Sequence, residues 1–171
     1  NWSILEIFGS FMGKQFIWLM VSAAAWFTIH HFIDRNFWVK GSYSIYGATL
    51  LLLFLVLIFG KEINNARSWF SIAGLTFQPS ELAKFGAALA MAAFLSQWSE
   101  KLNSLGAIGS GLLIMALPAM LIVLQPDPGS ALVFTSFLLV MYREGLSPLI
   151  LVFGLFTTTM FLLGILQPTA L

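Results

Sequence analysis

The chain has 171 residues, of which 59% are hydrophobic and only 9% charged, and its formal net charge is +1. A soluble domain carries about 25% charged residues, so this composition cannot clothe a water-soluble globule; it describes an integral membrane protein, and the near-neutral charge argues against nucleic acid as a partner. With no cysteine, thiolate metal sites and thiol catalysis are excluded.

A membrane-spanning helix needs roughly 20 mostly apolar residues. In chain order, six segments approach that length: Gln15–Ile33, Ser42–Gly60, Leu82–Trp98, Ala107–Leu124, Ala131–Tyr142 and Pro148–Leu166. The stretch before them, "NWSILEIFGSF", has a surface-lying character. The first segment ends on His30 and His31, the only imidazoles, which read as interfacial because no companion metal ligands accompany them. The polar, basic link Asp34 to Gly41 leads into the second segment. The long connection "KEINNARSWFSIAGLTFQ", Lys61 to Gln78, is too interrupted to span and reads as an interfacial loop or small hairpin with aromatics at headgroup depth. The third segment is rich in Ala and Gly, which lets neighbouring helices approach closely. The turns "SEKLNSLG" and "REGLS" are brief. The fifth segment is short, and is either extended at its ends or partly re-entrant. No segment alternates like a membrane barrel strand, so the expected architecture is an all-α, polytopic membrane helix bundle in one membrane domain over residues 1–171. The chain begins at Asn1 and closes on "LQPTAL" as an apolar run ends, which reads as a piece of a longer polypeptide.

Gln-Pro occurs at Gln78-Pro79, Gln125-Pro126 and Gln167-Pro168. If all six segments cross, these polar helix ends gather at one membrane face. Lys14, Lys61 and Arg67 lie in links on that side, and Arg35, Lys40, Lys101 and Arg143 on the other. The excess of cations opposite Gln-Pro favours the Gln-Pro face being outside.

Chemistry concentrates at that face. In "FQPSELAKF", Gln78, Pro79 and Glu81 suit the cap and first turn of a helix, and Lys84 can snorkel. A lysine near a helix N-terminus is nevertheless on the wrong end of the dipole, and Glu81 and Lys84, spaced i and i+3, share a face and can pair. Ionisable groups in membrane segments usually face a bundle interior or a water-filled cavity. The second reading is therefore a polar cavity lined by Gln78, Ser80, Glu81 and Lys84. If that pair is buried, removing one partner costs on the order of 3–5 kcal/mol. In "LQPDPGSALVF", Asp127 either caps the next helix or faces the same cavity with Gln125, and both can hold together. Arg67 and Trp69 are either interfacial anchors or a receptor for phosphate, which a guanidinium fork suits. There is no P-loop, nucleophile elbow or metal-binding His/Glu motif. On residues alone, transporter, lipid-handling enzyme and structural subunit all stay open.

"NARSWFSIAGLTFQPSELAKF" followed by "LQPDPGSALVF", with "GKQFIW" at Gly13–Trp18 and "DRNFW" at Asp34–Trp38, resembles the SEDS family (shape, elongation, division and sporulation), nearer its RodA than its FtsW branch. The resemblance runs along most of the chain. It implies a protein of about ten membrane helices, multi-pass in the bacterial cytoplasmic membrane, of which this chain covers helices two through seven. It also implies a peptidoglycan glycosyltransferase that polymerises lipid II at the outer face, with a class B penicillin-binding protein as partner. On this resemblance the catalytic carboxylate lies beyond Leu171, Arg67 and Lys84 are candidates for steadying the leaving pyrophosphate, and a divalent metal has a place only in the full protein, since no ligand cluster is visible here. A lipid flippase or proton-coupled transporter, or a non-catalytic scaffold for the penicillin-binding protein, are the alternatives. "NARSW" carries one arginine where many relatives have two, and Pro128 stands where another residue is common.

Overall fold

A computed structural model describes residues 11–63, 66–72 and 75–166. The opening "NWSILEIFGS" and the third Gln-Pro pair, Gln167-Pro168, lie outside the described residues. The chain divides into two compact units, Asn1–Lys40 and Gly41–Leu171.

The first unit is dominated by helix α1 (Phe11–Phe32), whose Trp18, Trp26, Phe27 and Phe32 are all more than half exposed. At its end, His30 stacks on Trp26 at 5.4 Å and His31 on Phe27 at 4.2 Å between ring centroids. Imidazole in the last turn also complements the negative end of the helix dipole.

In the second unit, α2 (Arg35–Phe59) delivers the chain to three short strands: β1 (Lys61–Ile63), β2 (Ala66–Ile72) and β3 (Leu75–Phe77). They form an antiparallel sheet in the order β1-β2-β3, so the expected small hairpin is extended by a third strand. Then follow α3 (Pro79–Trp98), a 3-10 turn, α4 (Leu105–Val123), α5 (Pro128–Leu132), a second 3-10 turn, α6 (Ser136–Arg143) and α7 (Pro148–Leu166). The expected short fifth segment is extended at both ends: residues 128–143 run on from α5 through the 3-10 turn into α6. They reach roughly 24 Å at about 1.5 Å per residue. The architecture is all-α apart from the small sheet. Among the described residues, Arg35–Phe59 and Leu105–Val123 are long and apolar enough to cross a membrane by length and composition.

Proline and its caps set the helix starts. Pro79 and Pro148 open α3 and α7, where a missing N–H costs nothing. Ser104 caps α4 by accepting from the Ala107 amide at 3.3 Å. Gly145, at φ 109°, ends the α6 run in the left-handed conformation that glycine adopts without a Cβ penalty. At this end of the unit Asn103 ties two turns together. Its amide donates to the Gly145 carbonyl at 2.9 Å and accepts from the Ser147 amide at 2.8 Å.

The core lies between α3 and its neighbours. Ala83, Ala87, Ala90, Met91 and Phe94 of α3 pack with Leu53, Ile114, Phe134 and Leu138. Small side chains bring backbones together here. A Cβ on Gly86 would stand 2.6 Å from Thr49 Oγ1 and 3.3 Å from the Tyr46 Cα. Apolar side chains also cover the outside. On α7, Leu149, Val152, Phe153 and Phe156 are all more than half exposed, an apolar patch of the kind that marks a membrane or protein contact.

Pro118 sits inside α4. Lacking an N–H, it leaves the carbonyl four residues back, Ile114, without its helical partner. The Tyr46 hydroxyl donates to that carbonyl at 3.0 Å from across the α2–α4 contact. Tyr46→Phe should therefore lower stability by about 1 kcal/mol. In a Pro118→Ala background, where the Ile114 carbonyl regains a backbone donor, the same change should cost clearly less. Denaturant unfolding of the four proteins in micelles measures this; equal losses in both backgrounds would mean that the hydroxyl does not substitute for the proline's missing donor.

Candidate functional site

The two Gln-Pro motifs within the described residues meet. Gln78, the residue before α3, donates from Nε2 to Asp127 Oδ2 at 2.9 Å. Asp127 simultaneously caps α5, its Oδ1 accepting from the Ser130 amide at 3.1 Å. The expected cap and a contact with the first motif are thus made by different oxygens of one carboxylate. α2 supplies the third wall. Gln125 is fully buried and donates from Nε2 to the Leu53 carbonyl at 3.2 Å.

Glu81 and Lys84 also meet, Lys84 Nζ to Glu81 Oε1 at 2.7 Å. Their setting differs from a sealed interior pair. Ser80, Ala83 and Ala87 occupy the buried face of α3, Lys84 lies at its border, and Glu81 stands further round with its side chain 62% exposed. The expectation of a large burial cost is corrected accordingly: an ion pair this exposed is worth about 0–1 kcal/mol. It forms the rim of a polar patch, not the floor of a closed cavity.

Two polar atoms at this end are buried without a partner among the described residues, Ser80 Oγ and Gln125 Oε1. The Ser80 hydroxyl can still donate or accept a hydrogen bond and the Gln125 amide oxygen can still accept one, and leaving such bonds unmade is costly. Arg67 and Trp69 lie on the sheet. Arg67 is exposed, Trp69 is half-buried, and neither has a hydrogen bond or ion pair to Gln78, Glu81, Lys84 or Asp127 among the described residues. No group of three His, Asp or Glu side chains stands together among the described residues.

A groove of about 260 Å³ opens beside these motifs, between α4, α5 and α7. Its polar lining residues, Thr135, Thr157 and Thr158, return their hydroxyls to carbonyls of their own helical segments at 2.7–3.0 Å. The wall it presents is consequently apolar. Sequence reading did not find this groove, because hydroxyls that bond back within a helix look the same in sequence as hydroxyls that point outward.

The FTSW_RODA_SPOVE model, described as a cell cycle protein, matches residues 3–168. A probable peptidoglycan glycosyltransferase FtsW from Acinetobacter baylyi is 33% identical over 59% of this chain and 26% of its own length. A peptidoglycan glycosyltransferase RodA from Treponema pallidum is 32% identical over 82% of this chain and 32% of its own. Among solved structures, the rod shape determining protein RodA of Thermus thermophilus superposes with a TM-score of 0.66 at 38% identity, covering 79% of this chain and 44% of that one. A chain from a peptidoglycan synthase complex gives 0.65 at 39%, covering 81% and 40%. The chain therefore spans between a quarter and a third of those two curated relatives.

The geometry separates the two carboxylates by what their loss should cost. Asp127→Ala removes a cap and an inter-motif bond and should destabilise by about 2 kcal/mol. Asp127→Ser keeps a capping oxygen and should recover about half of that loss. Glu81→Gln should cost less than about 1 kcal/mol. Chemical unfolding of the three variants reads the order directly, and a Glu81→Gln loss as large as that of Asp127→Ala would place the pair in the interior after all.

Proposed function

The chain belongs to the FtsW, RodA and SpoVE family of cell cycle proteins, and from that premise we propose that it is a portion of a peptidoglycan glycosyltransferase, a multi-pass protein of the bacterial cytoplasmic membrane that polymerises lipid II at the outer face. The observation that carries this reading is the 2.9 Å bond from Gln78 to Asp127. It draws "QPSELAK" and "QPDPG" into one polar patch, with an apolar groove beside it.

The reaction joins two lipid-anchored substrates. An acceptor hydroxyl attacks the anomeric carbon of the donor sugar, the bond from that carbon to pyrophosphate breaks, and the hydroxyl proton passes to a base. Charge builds on the departing pyrophosphate, and a positioned cation stabilises it. Lys84 fits that role. Its ammonium lies at the edge of the buried face, and Glu81 orients it at 2.7 Å. Arg67, on the neighbouring sheet, is a second candidate. The base must be a carboxylate free to take a proton. Asp127 engages both oxygens in hydrogen bonds and Glu81 is paired, and the resemblance to the family implies that the base is a carboxylate beyond Leu171. A divalent metal at the pyrophosphate would likewise draw most of its ligands from outside the described residues, which hold no cluster of three. The groove beside α7, with its hydroxyls turned inward, suits a lipid chain entering from the bilayer.

Membrane placement of all six helical segments, the rod-elongation role of RodA and a class B penicillin-binding protein as partner belong to the same proposal. The likeness to a chain of a peptidoglycan synthase complex supports the partner. The second reading, a flippase or proton-coupled transporter, rests on the Glu81–Lys84 pair itself. Purified full-length protein given lipid II in detergent should make glycan chains. Lys84→Met should reduce the rate at least tenfold while leaving unfolding nearly unchanged. Movement of lipid II across liposomes without polymer would replace the enzyme with a transporter.

A further inference from the structure

The three-stranded sheet has two unlike faces. Along β2, Ser68 is buried, at 2% exposure, and Phe70 turns to the same side, where its ring stacks on Phe77 at 5.9 Å. Trp69 and Ser71 alternate to the other side, while Arg67 stands at a register irregularity between β1 and β2. The pairing register adds the cross-strand neighbours of that face: Lys61 lies opposite Trp69, and Thr76 opposite Ser71. Residues directly opposite in an antiparallel pair share a face. The outward face thus sets Lys61 against a half-buried indole, with two hydroxyls beside them and the exposed Arg67 at the adjoining irregularity. Lys61, Arg67, Ser71 and Thr76 are all exposed. Neither cation is in an ion pair among the described residues. Glu62, the sheet's carboxylate among the described residues, is exposed and lies within the same irregular stretch of β1.

The height of this face follows from its neighbours. α2 ends on Ile58 and Phe59, which are 54% and 72% exposed, and Lys61 comes two residues later. On the return, exposed Leu82 lies in the first turns of α3. The sheet therefore sits where apolar helix surface gives way to charge, the depth at which indole and basic side chains meet lipid headgroups.

We propose that the outward face of this sheet docks on the phosphate headgroups of anionic phospholipids in the surrounding membrane leaflet. Lys61 and Arg67 supply the charge complementarity, Trp69 the amphipathic anchor, and Ser71 and Thr76 hydroxyl donors to phosphate oxygens. The site shares Arg67 with the glycosyl-transfer reading but is tested apart from it: it requires only that the bundle lie in a bilayer, and it predicts that sheet position responds to lipid charge whether or not the protein polymerises anything. Each cation near an anionic surface strengthens the contact about fivefold.

The residues 1–171 contain no cysteine, so Ser71→Cys in a full-length protein otherwise free of cysteine gives one nitroxide site on this face. The label's collision rate with a water-soluble nickel complex is measured in vesicles of phosphatidylcholine alone and of phosphatidylcholine mixed with phosphatidylglycerol. Accessibility should fall several-fold in the anionic vesicles and recover in high salt. K61Q/R67Q should abolish the difference, while K101Q/R143Q at the other end of the bundle should preserve it. Equal accessibility in both lipids, or a difference that survives K61Q/R67Q or disappears in K101Q/R143Q, would overturn the proposal. Protection by inorganic phosphate in neutral vesicles would overturn it too, by making the face a free-phosphate site.

Discussion

Everything in the second unit is arranged around the demand that a polar group in an apolar interior find a partner. The Tyr46 hydroxyl on the Ile114 carbonyl is the clearest case. A proline inside α4 removes one backbone donor, and a side chain from α2 replaces it. That bond fixes the height of α2 against α4. The Gln125 amide, bonded to the Leu53 carbonyl, fixes the same two helices a second time, nearer the polar end. With α2 and α4 set in register, α3 packs with Ala83, Ala87, Ala90, Met91 and Phe94 in the core and comes closest to α2 at Gly86.

The polar end then follows. α3 runs antiparallel to α2 and α4, so its first residues come level with the last residues of α4. Gln78 can reach Asp127 only because of that register. Asp127 is held on one side by the start of its own helix and on the other by Gln78, and so its carboxylate cannot swing. The Glu81–Lys84 pair lacks such support from neighbouring helices. Its geometry is local to one helix, and it remains open to whatever approaches from outside the bundle.

Much of this was legible in the sequence, for identifiable reasons. Apolar run length located the helices, and the Pro and Ser/Asp residues at their starts set boundaries within a few residues. Counting crossings placed Gln78 and Gln125 at one end, because that needs only the parity of the helices between them. What stayed hidden depended on neighbours. Leu75–Phe77 is too short to announce a strand, and becomes one only when β2 offers an edge. The exposure of Glu81 depends on which helices flank α3, which spacing along α3 cannot tell. The carbonyl stranded by Pro118 was not foreseen, and nothing in the sequence nominated Tyr46, 68 residues away along the chain from the carbonyl it serves, as its partner.

The Asn103 bridge has a consequence for how the chain assembles. Its two partners lie 42 and 44 residues further along, beyond α4 and the whole 128–143 segment. The amide can close only if the intervening chain has gone out along α4 and come back along 128–143. A misthreaded intermediate, with 128–143 left on the wrong side, would put the turn at Gly145 at the far end and leave Asn103 with nothing to hold. This small bridge therefore reports that the 128–143 segment has returned to the end of the unit where α4 begins.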